Sequence, residues 1–138
     1  MDSAIVLCNN QILALYRDLD ESKYEPMVAR FAPDGVWHRQ GKVLEGRDQM
    51  LAALQMRSKT QRVHHLMVNL FADRVEADRC SIRGYMLVLR HEDGKPIEGP
   101  APLTGIESIR TTYIDLARID GQWLITQMRG DAPTFSSK

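Results

Sequence analysis

At 138 residues the chain has the length of one domain and is long enough to close one hydrophobic core. Its 18 basic and 18 acidic residues cancel to a formal net charge of +0, which removes the electrostatic footprint expected of a nucleic-acid or membrane-surface binder. Cys8 and Cys80 have neither zinc-site spacing nor the density of a disulfide framework, so reduced thiols in a cytoplasmic setting are expected.

The stretch Met1 to Gln11 lacks the basic start and long apolar run of a leader, and no segment approaches the ~20 apolar residues of a membrane span. From Ser3 to Leu19 the apolar residues Ile5, Cys8, Ile12, Leu15 and Leu19 recur at helical spacing, with Ser3 able to cap the start. A polar break at 20–23 precedes a shorter helical segment, Tyr24 to Phe31, which Pro33-Asp34-Gly35 stops, so the first two helices form a hairpin. Val36 to Gln40 and Val43 to Glu45 flank the turn Gly41-Lys42 and predict a short β-hairpin. Gly46-Arg47-Asp48 opens a third helix with Met50, Leu51 and Leu54 on one face, closed by the polar run 58–61.

From Arg62 the period changes to two. Four strands are predicted, Arg62 to Ala72, Val75 to Arg90, Leu103 to Ile119 and Gln122 to Asp131. Turn residues at 72–74, 93–96 and 120–121 make neighbouring strands an antiparallel meander, and 94–102, with three prolines, is one long connection. Helices first and strands after predict a single α+β domain over 1–138. The N-terminal helices pack on a strongly curved antiparallel sheet, a cone-shaped α+β barrel around one apolar pocket.

Leu19-Asp20 before Tyr24, then Phe31-Ala32-Pro33-Asp34-Gly35-Val36-Trp37 and Gly46-Arg47-Asp48, resembles the first half of a SnoaL-like domain of the nuclear transport factor 2-like superfamily. His65-Leu66-Met67-Val68-Asn69 resembles its His-x-x-x-Asn strand, and Tyr113-Ile114-Asp115 with 120–125 resembles its last hairpin. Within the superfamily the chain is similar to the branch of scytalone dehydratase, bile acid 7α-dehydratase and hexachlorocyclohexane dehydrochlorinase, which share an Asp-His pair. The superfamily hosts unrelated chemistries, so the pocket residues must decide function.

The resemblance assigns the family aspartate to Asp20 and the strand histidine to His65. A carboxylate that holds one imidazole nitrogen fixes the tautomer and strengthens the other as a base near neutral pH. Without the resemblance, Asp20 reads as a solvated helix-end carboxylate and His65 as a satisfied strand histidine. Period two puts His65, Met67, Asn69 and Phe71 on one strand face and His64 on the other, an assignment that a one-residue bulge would reverse. Tyr16, one helical turn before Asp20, is a candidate donor or a core phenol, and stands one position from the family's helix tyrosine.

Trp37, Met67 and Phe71 are candidate apolar contacts for the ligand, and Asn69, Arg110 and Thr112 candidate polar ones. Where the family often has a basic residue this chain has Met128, with Arg129 one position later and on the opposite face. His38 and His91 read as surface or turn residues. No phosphate loop, nucleophile elbow or metal-ligand spacing is present, so no cofactor or metal is expected.

Two functions follow from the resemblance. One is a cofactor-free lyase or isomerase, dehydratase-like, acting on a hydrophobic cyclic small molecule through Asp20 and His65. The other is a non-catalytic binding or assembly module resembling the small subunit of an aromatic-ring dioxygenase. In either case a homodimer is expected, because Leu66, Val68 and Leu70 oppose Met67 and Phe71 on alternate faces of one strand.

Overall fold

A computed structural model describes residues 3–137; Met1, Asp2 and Lys138, the ends of the span read as one domain, lie outside the described residues. The chain runs α1 (Ala4–Asp20), α2 (Tyr24–Ala29), β1 (Phe31–Arg39), β2 (Lys42–Glu45), α3 (Gly46–Gln55), β3 (Arg62–Val75), β4 (Arg79–His91), β5 (Ser108–Ile119), β6 (Gln122–Gly130) and β7 (Phe135–Ser136). Helices therefore precede a curved sheet, and the fold is α+β. Ser3 caps α1 by accepting from the Val6 amide at 3.3 Å.

The strands order as β2-β1-β6-β5-β4-β3, with β7 on β5. The meander from β3 to β6 is antiparallel throughout, but β1 lies parallel to β6, so the sheet is mixed where a wholly antiparallel one is expected. Strand periodicity carries no information on which distant strand becomes a neighbour. Phe31 also belongs to β1 and not to α2, and β1 runs through Pro33-Asp34-Gly35 with a break in its register to β6. At Gly35 the backbones pass so close that a Cβ would lie 3.0 Å from the carbonyl oxygens of Ala32 and Ile125.

One face of α1 is buried at Cys8, Ile12, Leu15, Tyr16 and Leu19, and the helix lies over β3, β4 and β6 while α3 lies over β1 and β2. The helix hairpin is fastened by polar contacts as well as by burial. Arg30 donates through Nε to the buried Asp18 at 2.8 Å and through Nη1 to Gln11 at 2.7 Å, and Gln11 donates to the Trp123 carbonyl at 2.9 Å. Arg47 of the Gly-Arg-Asp motif donates to the Phe31 carbonyl at 3.1 and 2.7 Å, so this part of the sequence signature secures α3 to the start of β1. Cys8 and Cys80, distant in sequence, meet in the core between α1 and β4. Burial, and next the Cys80 side chain, push the Cys8 thiol up to about 12.

The β3–β4 pair decides what faces the helices. Its register slips between Val68 and Phe71, where Asn69 adopts φ +53°, a left-handed conformation that Asn tolerates better than most residues. Inward positions change parity across this bulge, from Val63, His65 and Met67 to Leu70 and Ala72. Asn69 and Phe71, expected on the pocket face, are consequently exposed, and Arg83 sits 5.6 Å over the Phe71 ring. The β3–β4 turn also falls at 76–78, where the Glu76 amide meets the Arg79 carbonyl at 2.7 Å, and not at 72–74. β5 starts at Ser108, later than the predicted Leu103, because the proline-rich connection extends to it.

Gly84 lies opposite the bulge. A Cβ there would stand 2.9 Å from the Val68 carbonyl oxygen and from Leu70 Cδ2, closer than a side chain can approach without displacement. Gly84→Ala is expected to cost about 1–3 kcal/mol, the range for overpacking. Urea unfolding should give a lower midpoint at unchanged slope. An unchanged midpoint would show that the strand pair relaxes freely around the added methyl.

Candidate active site

The sheet and the helices line a half-open cavity of about 870 Å³. Asp20, the last residue of α1, ends the helix where the backbone dipole disfavours a negative charge. Its carboxylate is nevertheless held on both oxygens. Oδ2 accepts from the His65 backbone N–H at 2.9 Å, and Oδ1 lies 2.6 Å from His65 Nδ1. The two side chains are only 13% and 12% exposed, so the contact is shielded from competing water.

An ionised carboxylate only accepts, so the contact puts the proton on Nδ1 and leaves Nε2 with the basic lone pair. Nε2 makes no hydrogen bond among the described residues, and His65 lines the cavity while Asp20 stands behind it. Tyr16 also lines the cavity. Its ring packs 5.6 Å from the His65 ring at an interplanar angle of 30°. The phenol donates to the Met128 thioether at 3.5 Å, a weak acceptor that a ligand oxygen can replace. Burial first, and the Asp20 charge second, raise the Tyr16 pKa above its ordinary value, so at neutral pH the group is a hydrogen-bond donor.

The other sequence candidates divide. Trp37, Arg110 and Thr112 line the cavity, whereas Met67 is packed in the core and Asn69 and Phe71 lie outside the lining. Thr112 is 2% exposed and its Oγ1 has no hydrogen-bond partner among the described residues. Among the described residues Arg110 makes one hydrogen bond, to the Asp131 carbonyl at 3.4 Å. Met128 points inward and is buried, while Arg129, also in the cavity lining, has its guanidinium 4.1 Å over the Tyr113 ring.

His64 lines a separate groove of about 280 Å³ with Leu89 and Leu103, and His91 pairs with Asp93 at 3.6 Å. His38, read as a surface or turn residue, is exposed but reaches the cavity rim. Among the described residues no group of three or more His, Cys, Asp or Glu side chains is arranged to hold a metal, and no helix is long and apolar enough to cross a membrane.

The lining is less apolar than the sequence suggests. Tyr16, Leu19, Trp37, Met86 and Met128 supply apolar surface, but Arg39, Arg57 and Arg90 also line it. These three were not singled out by sequence reasoning. Period two carries the signal, since Arg39 shares the parity of Trp37 and Arg90 that of Val88, but an arginine at a strand end ordinarily reads as a solvated terminus.

The chain belongs to the SnoaL-like domain family, whose model matches residues 8–129. Among solved structures it is similar to a protein of Catenulispora acidiphila, at 22% identity and TM-score 0.76 over 92% of this chain and 89% of that one. A scytalone dehydratase candidate of Novosphingobium aromaticivorans gives 19% identity and TM-score 0.73 over 94% and 85%. ActVI-ORFA of Streptomyces coelicolor gives 17% and 0.76 over 93% and 96%. At these identities the likeness establishes the fold alone. No curated protein matches the chain significantly.

The Asp20 contact makes a spectroscopic prediction. Ring-nitrogen NMR should find His65 in the Nδ1–H tautomer when neutral. Asn has one acceptor oxygen where Asp20 uses two, so Asp20→Asn must give up either the backbone bond or the Nδ1–H bond. The tautomer ratio is expected to move toward Nε2–H. An unchanged ratio would mean that the carboxylate does not set the tautomer.

Proposed function

We propose that this cavity is the active site of a cofactor-free lyase or isomerase, dehydratase-like, acting on a hydrophobic cyclic small molecule. The observation that carries the reading is the 2.6 Å contact between Asp20 and His65 at the wall of an 870 Å³ cavity, which leaves Nε2 as a positioned base. His65 Nε2 takes a proton from carbon, and the electron pair of that C–H bond forms the new double bond. For dehydration the C–O bond breaks, and the imidazolium returns its proton to the departing hydroxyl, so that water leaves and His65 is neutral again. Tyr16 donates a hydrogen bond to the oxygen that gains charge, and its raised pKa keeps its own proton in place. Asp20 is a positioning residue, stabilising the imidazolium without touching substrate.

A metabolite screen for ligand-induced thermal stabilisation should find ligands by mass action, and turnover of those ligands then tests the dyad. His65→Ala is expected to lower kcat by about 10²- to 10⁴-fold while binding survives. Asp20→Asn should lower kcat and alter its pH profile, and the double variant should lose no more than His65→Ala alone. Losses that multiply, or single variants with wild-type rates, would sink the dyad and favour the non-catalytic binding or assembly module.

The same reading includes a homodimer. Leu66, Val68, Phe71 and Tyr85 are 41%, 36%, 58% and 47% exposed on the outward side of β3 and β4, a contiguous apolar patch and not scattered single residues. A second copy covers this face. Sedimentation at micromolar concentration should give a dimer, and Val68→Lys with Tyr85→Lys should shift it to monomer; a wild-type monomer overturns the assignment.

A further inference from the structure

The cavity that holds His65 gathers charge that the chain does not balance there. Arg39, Lys42, Arg57, Arg90, Arg110 and Arg129 line it, the last paired with Asp131 at 3.5 Å, and among the described residues Glu107 is the single carboxylate of its lining. The whole chain is neutral, so this is a local concentration of cations and not the overflow of a basic protein. Glu107 is already engaged, accepting from Arg90 Nε at 3.1 and 3.3 Å, while Arg90 Nη1 donates to Gln61 at 2.7 Å. Arg57 donates to the Leu19 carbonyl at 2.9 Å and to the Tyr24 hydroxyl at 3.1 Å.

Arg39 is different. Among the described residues its guanidinium makes no hydrogen bond and no ion pair, and it is held 5.3 Å over the Trp37 ring. Contact with an aromatic ring restrains the group while leaving its N–H donors unused. Burial, and next the charges of Arg57 and Arg90, with Tyr24 opposing, hold its pKa below the ordinary range. A half-buried cation with like-charged neighbours and idle donors costs stability in the empty protein, and an incoming anion removes that cost.

We infer that the substrate of this cavity carries an oxyanion, a carboxylate or a phosphate, which docks on the unused donors of Arg39 beside Arg57 and Arg90 while its apolar body lies along Trp37. The guanidinium fork matches either oxyanion through two parallel N–H bonds, which an ammonium cannot reproduce. The inference rests on the cavity being the substrate site proposed above. Its test reads binding and not turnover, so the two can fail separately.

Calorimetric titration with 1-naphthoate, 1-naphthyl phosphate and the neutral 1-naphthamide tests it. On the wild-type protein at least one anion should bind about 10- to 100-fold more tightly than the amide, the range of hydrogen bonds to a charged group. The anion that gains more identifies the head group. Arg39→Gln should remove the preference and leave the amide affinity unchanged, Arg39→Lys should keep only part of it, and His65→Ala should keep all of it. Added salt should weaken the anions alone. Equal affinities for the amide and both anions, or an Arg39→Gln loss shared by anions and amide, would overturn the inference. If Arg39→Gln does not fold, the wild-type comparison and a loss confined to anions in Arg39→Lys decide it. Anion binding through Arg39 with no turnover of any ligand would leave this inference standing and remove the lyase reading.

Discussion

The arrangement of the site depends on a carboxylate placed where a helix does not favour one. Asp20 ends α1, and both of its oxygens are occupied by one residue of β3, the first by the ring and the second by the backbone of His65. Because the backbone N–H is one of the donors, the contact fixes the position of α1 along β3 as well as the rotation of the imidazole. Tyr16, one turn back on the same helix, is thereby set against the His65 ring. The hairpin is fixed as well by Arg30, Asp18 and Gln11, so α1 is pinned to the sheet by polar contacts at its C-terminal end and at mid-length and by its buried stripe.

This division separates two kinds of acidic residue that look alike in sequence. Asp18 and Asp20 are two positions apart on one helix. Asp18 pairs with Arg30, the residue that caps α2, a contact that serves the hairpin, whereas Asp20 faces the sheet and holds a group that reaches the cavity. The raised pKa of Tyr16 and the idle donors of Arg39 give the cavity two kinds of polar group besides the histidine, a neutral donor packed against its ring and a cation.

Much of this was legible in the sequence, and the limits have physical causes. The stripe from Cys8 to Leu19 and the meander from β3 to β6 follow from periodicity, which is local. The parallel β1–β6 pair and the meeting of Cys8 with Cys80 depend on tertiary placement, which no local pattern encodes. Alternation places His65 correctly relative to Met67 because the strand is regular up to Val68. It fails for Asn69 and Phe71 because the strand is not regular beyond that point. Arg39 shares the alternation of Trp37, but charge at a strand end ordinarily reads as a solvated terminus. Fold and family were thus carried by many weak local signals in agreement, while the polar half of the cavity was carried by single residues.

The position of the bulge has a consequence for how such a chain can change over generations. Among the described residues His65 is the one β3 residue in the cavity lining, and it lies on the N-terminal side of Asn69. A residue gained or lost in the β3–β4 turn can be absorbed by moving the slip along the strand, and the orientation of His65 is untouched. The same event inside β3 between Arg62 and His65 would exchange His64 for His65 and turn the site histidine to the outer face. Tolerance to insertion is therefore expected to be lopsided along this single strand, permissive toward its hairpin and strict toward its start.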